Sequence, residues 1–103
     1  MAAHFFDIDG TLVRYHTNEW LSGAKEYLIN LHKGGHQIYF ITRRGSQGDG
    51  KEWSISRTYD TILKDLREVG VNFQILFNVK TARYLHDDSE CFAMNRKQNE
   101  AWD

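Results

Sequence analysis

Four short apolar runs punctuate the chain, and each ends in charged or small polar residues. Residues 3–8 (Ala-His-Phe-Phe-Asp-Ile) run into Asp9-Gly10-Thr11, and residues 36–41 (His-Gln-Ile-Tyr-Phe-Ile) run into Thr42-Arg43-Arg44-Gly45. Residues 72–77 lead into Asn78-Val79-Lys80, and residues 83–86 (Arg-Tyr-Leu-His) lead into Asp87-Asp88. Their length and their aromatic and β-branched content predict four buried strands. Between the first two, Leu21, Ala24, Leu28 and Leu31 recur at helical spacing. Thr17 or Asn18 is the expected N-cap there, and Gly34-Gly35 the stop. Between the second and third, Tyr59, Ile62, Leu63, Leu66 and Val69 mark another helix, with Ser54 or Ser56 as its cap and Gly70 at its end. Past Asp88 the pattern weakens, and Cys91, Phe92 and Met94 give only a thin stripe for a short helix within residues 90–99. Strand alternating with helix predicts an α/β fold with right-handed crossovers and a parallel sheet.

Composition narrows this to one unit. The chain has 103 residues, 41% hydrophobic and 14% aromatic, with no proline and one cysteine. A chain this short has room for one core, so residues 1–103 are expected to form a single domain. Thirteen basic and fourteen acidic residues leave a formal charge of −1, which supplies no global field toward nucleic acid or an anionic membrane. Cys91 has no partner for an internal disulfide, and no apolar stretch approaches the roughly 20 residues of a membrane span. The expectation is a cytoplasmic protein with no membrane partner.

In open parallel sheets, ligands bind outside the carboxyl ends of the strands, near the point where strand order reverses. Those ends here carry Asp7, Asp9, Thr11, Thr42, Arg43, Arg44, Lys80, Asp87 and Asp88. Carboxylates crowded together repel unless protonated or bridged by a cation. A hard divalent ion such as Mg²⁺, which uses one or two carboxylates plus water and phosphate oxygens, resolves the crowding, with Asp7 and Asp87 as its expected ligands. Asp7 and Asp9, two apart, are expected to point to one side, and Gly10 to let the backbone turn sharply beside a ligand.

The pentapeptide Asp7-Ile8-Asp9-Gly10-Thr11 resembles the DxDGT motif of the haloacid dehalogenase-like phosphohydrolases. Thr42 after the second strand, Lys80 after the third and Asp87-Asp88 after the fourth match the other three motifs of that superfamily, in order, over residues 3–88. The resemblance implies a minimal Rossmann-like fold of about four parallel strands with flanking helices. It also implies Mg²⁺-dependent hydrolysis of a phosphomonoester. Asp7 would be the nucleophile, and Asp9 would protonate the leaving oxygen and then activate water. Thr42 would hydrogen-bond the phosphoryl group and Lys80 would neutralise its charge, with Gly10 and Thr11 also at the substrate. Asp7, the backbone of Asp9, Asp87 and Asp88 would hold the metal.

Residues 35–45 and 84–88 resemble small proteins of capsular polysaccharide biosynthesis within that superfamily. The spacing from Thr42 to Arg44 also resembles the phosphatase half of polynucleotide kinase-phosphatases. In both comparisons Arg44 is the arginine that would grip phosphate with its planar fork. Thr81 and Arg83 depart from the first group, which has a proline and an acidic residue there. Residues 12–35 and 45–71 leave no room for a cap domain. An open site suits a sugar phosphate, a nucleotide or a nucleic-acid end, or closure by a second copy of the chain. The glycine-rich residues 45–51 form a candidate small lid. Arg14 and His16 read as exposed loop residues, and Trp20, Trp53 and Trp102 as packing residues. The alternatives are a polynucleotide 3′-phosphatase-like activity, phosphotransfer, and a non-catalytic binding or regulatory domain that keeps the fold.

Overall fold

The computed structural model describes residues 1–45, 51–80 and 82–103, with residues 51–53 described by backbone alone. Strand β1 (Ala3–Phe6) leads through a long loop to helix α1 (Ala24–Lys33) and strand β2 (Gln37–Ile41). Helix α2 (Lys51–Thr58), a π-helical turn (Tyr59–Leu63) and helix α3 (Lys64–Glu68) then run on to strand β3 (Gln74–Leu76). All pairing is parallel, in the order β1-β2-β3, with Phe5 opposite Tyr39 and Phe40 opposite Ile75. The α/β class and the parallel sheet are as the periodicity predicts.

Alternation along the strands explains where the core lies. Phe6, Ile38 and Phe40 face one way and are buried with Ala24 and Leu28 of α1 and with Ile62, Leu63 and Leu66 beyond α2. Each such side chain, fully buried, contributes roughly 1.5–3 kcal/mol. Both crossovers therefore cover the same face of the sheet, as right-handed connections must when strand order advances in one direction. On the other face Phe5 and Leu76 stay more than half exposed. The strand order contains no reversal among the described residues, so the three strands form no switch-point crevice of the kind expected.

Several element boundaries differ from expectation for identifiable reasons. Helix α1 starts at Ala24, because Gly23 is left-handed at φ 79°. Leu21 belongs instead to the preceding loop, where its N–H donates to the Leu12 carbonyl. Thr17 does not cap the helix, since its hydroxyl donates to the Arg14 carbonyl and accepts from the Glu19 N–H. The second helical stretch begins at Lys51, which puts Ser54 and Ser56 inside it rather than at its cap. Two hydroxyls bond back four residues at its π-helical turn, Thr58 just before it to the Ser54 carbonyl and Thr61 within it to the Arg57 carbonyl. Such back-bonding bends helices, and π turns absorb the distortion.

Residues 83–86 form no strand, which leaves the outer edge of β1 without a pairing partner among the described residues. Ala82, at φ 62°, turns the chain out of an extended path, and Tyr84 and Leu85 are exposed. Residues 90–99 form no helix either. The tail docks through residues 99–103 instead: the Asn99 N–H donates to the Gly10 carbonyl, and Trp102 packs on Phe6 and Tyr27. No helix among the described residues is long and apolar enough to cross a membrane.

Candidate active site

The loop that follows β1 is shaped by one carbonyl. The N–H groups of Thr11, Leu12 and Val13 all donate to the Ile8 oxygen, at 3.2, 2.9 and 3.2 Å, while the Gly10 N–H donates to the Val13 carbonyl. This tight reversal needs Gly10 at φ 80°, a conformation that a Cβ disfavours. Ile8, Leu12 and Val13 are buried beneath it. Asp7 and Asp9 flank Ile8 and remain partly open to solvent.

The two carboxylates meet different neighbours. Asp7 accepts from the Thr11 hydroxyl at 3.3 Å, and from both terminal nitrogens of Arg83 at 3.3 and 3.4 Å. Burial pushes the Asp7 carboxyl above the ordinary range, and the Arg83 charge opposes that rise. Asp9 is clasped by Arg44, whose Nε donates to one oxygen at 3.0 Å and Nη2 to the other at 2.8 Å. Arg44 also donates from Nη1 to the Asn18 amide oxygen at 2.6 Å and to the Thr58 hydroxyl at 3.0 Å, and from Nη2 to the Thr17 carbonyl at 2.9 Å. All five of its N–H groups thus have partners within the chain.

Thr42 is completely buried just past β2, where its hydroxyl accepts from the Arg44 N–H. The loops after β2 and β3 run side by side there: Val79 donates to the Thr42 carbonyl, and Asn78 to that of Arg44. Lys80 lies exposed at the end of this pairing, and the cation beside Asp7 is Arg83 rather than Lys80. Asp87 and Asp88 are also exposed and bond locally to Ser89. Among the described residues no group of three His, Cys, Asp or Glu comes together as a metal site, so the three expected metal carboxylates, Asp7, Asp87 and Asp88, are not gathered. The partly buried Asp7 carboxylate fits a hard cation by its oxygen chemistry, while both oxygens of Asp9 are engaged by Arg44.

Comparison with known proteins finds no family model, no curated protein and no solved structure that matches the chain.

Arg14 and His16 are exposed, as expected. Trp20 donates to the Asp65 carboxylate at 2.9 Å and ties the loop to α3, and Trp102 donates to the Thr11 carbonyl at 2.7 Å, both being packing roles. The proposed lid falls largely on residues 46–50, and Thr81 and the Trp53 side chain likewise lie outside the described residues. Asn18, Thr58, Asn99 and Trp102 shape the site without any motif to announce them. For Arg83 a signal existed, since it stands where the resembled family has an acidic residue.

Proposed function

We propose that the protein is a Mg²⁺-dependent phosphohydrolase of the haloacid dehalogenase-like type that acts on a phosphomonoester through an aspartyl-phosphate. One observation carries the reading: two carboxylates two residues apart, at the mouth of β1, sit in unlike surroundings, each with its own arginine. Pairs of titratable groups in contrasting environments are the usual basis for dividing nucleophile from acid–base roles. An Asp7 oxygen attacks phosphorus while Asp9 gives its proton to the departing alkoxide; Asp9 then takes a proton from water, which attacks the aspartyl-phosphate and releases phosphate and the Asp7 carboxylate. Thr11 borders the phosphoryl group, and Arg83 and Lys80 offset its charge, while Gly10 and Thr42, both buried, hold the surrounding loops in place.

The reading requires residues 83–86, which form no strand in this structure, to pair along the open edge of β1, which would bring Asp87 and Asp88 to Asp7. Asp7 and Asp87, helped by Asp88, would hold Mg²⁺, which supplies charge neutralisation on the phosphoryl oxygens. Sugar phosphates, nucleotides and nucleic-acid ends are the substrate classes that suit a site without a cap, with a second copy of the chain as the other means of closing it. The exposed lone Cys91 accords with a reducing cytoplasm. The separation of Asp87 and Asp88 from Asp7 favours a second reading, a non-catalytic binding domain.

The test is an assay of purified protein with Mg²⁺ against phosphorylated sugars, nucleotides and 3′-phosphate oligonucleotides, beside Asp7→Asn. Turnover by the wild type that is lost in the variant is expected. Activity that survives Asp7→Asn overturns the nucleophile assignment, and inactivity across the panel with intact Mg²⁺ binding supports the binding domain.

A further inference from the structure

Arg44 has no N–H left for a ligand. Its Nε and Nη2 take both oxygens of Asp9, and the three remaining hydrogens go to the Thr17 carbonyl, the Asn18 amide oxygen and the Thr58 hydroxyl. Its side chain is only 10% exposed, against 24% for Asp9. A phosphate gripped by Arg44 would have to displace one of these partners from a partly buried site, leaving a desolvated acceptor behind. The same bonds tie Asp9 to three segments: the loop after β2 that carries Arg44, the segment of Thr17 and Asn18, and the end of α2, where Thr58 is itself anchored on the Ser54 carbonyl. A forked guanidinium that binds both carboxylate oxygens sets the plane of the carboxylate as well as its position, which a lysine does not do.

We propose that Arg44 is the positioning residue of Asp9: it aims the carboxylate that serves the leaving group and does not bind the phosphate. This rests on the phosphohydrolase reading and deepens it. Misaiming an acid harms substrates whose leaving group needs a proton far more than those whose leaving group departs as a stable anion. General acid–base catalysis is worth about 10²–10⁴-fold, so partial misalignment should remove about 10–100-fold of it.

The experiment compares kcat/KM for an alkyl phosphate and for p-nitrophenyl phosphate in the wild type, Arg44→Lys, Asn18→Ala and Asp9→Asn, with inhibition by orthophosphate measured in each. In Arg44→Lys, kcat/KM for the alkyl ester should fall about 10–100-fold and for p-nitrophenyl phosphate less than about 3-fold, with the orthophosphate inhibition constant unchanged. Asp9→Asn should shift the ratio the same way and further. Asn18→Ala, which removes one acceptor from Arg44 without touching Asp9, should shift it by a smaller factor, and it keeps the test open if Arg44→Lys fails to fold. Equal losses on both substrates indicate a merely structural role and overturn the proposal, as does weaker orthophosphate inhibition with an unchanged ratio. A wild type inactive on both substrates and on phosphorylated sugars, nucleotides and 3′-phosphate oligonucleotides overturns the phosphohydrolase reading itself.

Discussion

Arg83 lies against Asp7 through both of its terminal nitrogens, 3.3 and 3.4 Å from one carboxylate oxygen. Both side chains are about a third exposed, so the pair adds little to stability, within about 0.5 kcal/mol. Its effect falls on ionisation. Arg83 holds the Asp7 carboxyl down against the rise that burial causes. Under the hydrolase reading, Arg83→Ala should therefore move the acid limb of the pH–rate profile to higher pH while leaving the melting temperature nearly unchanged. An unmoved limb would show that Asp7 does not feel this arginine.

Asp7 also makes stability depend on pH. Folding raises its pKa, chiefly by desolvation, so the native state binds its proton more readily than the unfolded chain does. The resulting contribution is fully present below the unfolded value of about 3.9 and is lost as pH rises through the folded value. Asp7→Asn, which carries no charge to bury, should be more stable than the wild type at neutral pH. The advantage should vanish below about pH 4, and urea melts at the two pH values measure it.

Gly10 is the turning point immediately after the two carboxylates. An alanine there would be held at φ 80° with its Cβ 3.2 Å from the Gln98 side chain. Gly10→Ala should cost about 1–2 kcal/mol, which for a domain of this size lowers the melting temperature by roughly 5–15 °C. Under the hydrolase reading, activity should fall further than stability, because the same turn places Asp9.

The end of the chain braces this turn from outside. Trp102 donates to the Thr11 carbonyl, stacks under the Arg96 guanidinium at 3.5 Å and packs on Phe6. Trp102→Ala should cost about 2–3 kcal/mol, on the low side for a truncated tryptophan because the ring is only partly buried. Trp102→Phe keeps most of the packing and leaves the Thr11 oxygen short of a donor, at about 1 kcal/mol. Hydrogen exchange at residues 10–15 should quicken in both. Unchanged exchange would mean that the loop holds its shape without the tail.

What the sequence disclosed follows from how local each signal is. Runs such as residues 37–41, with alternating burial and a glycine pair just upstream, carry their own period and punctuation, and three strands formed where that pattern lay. The turn at Gly10 was legible for the same reason. Residues 83–86 have strand-like composition in only four positions, too few to outweigh a left-handed residue at Ala82. The partners of Arg44 were not legible, because Asn18 and Thr58 lie 26 and 14 residues away and meet it only through the packed fold. Trp102, 91 residues from Thr11, is more remote still.

Because strand order advances in one direction only among the described residues, Asp7 and Asp9 follow the outermost strand, where Arg83 and the C-terminal tail cover them only in part and leave their side chains 32% and 24% exposed. A site of that kind cannot dry itself. Under the hydrolase reading, the body of the substrate must displace water from the open flank, so turnover should depend on what lies beyond the phosphate. A short ester leaves that flank wet, whereas a phosphate at the end of a polymer covers it.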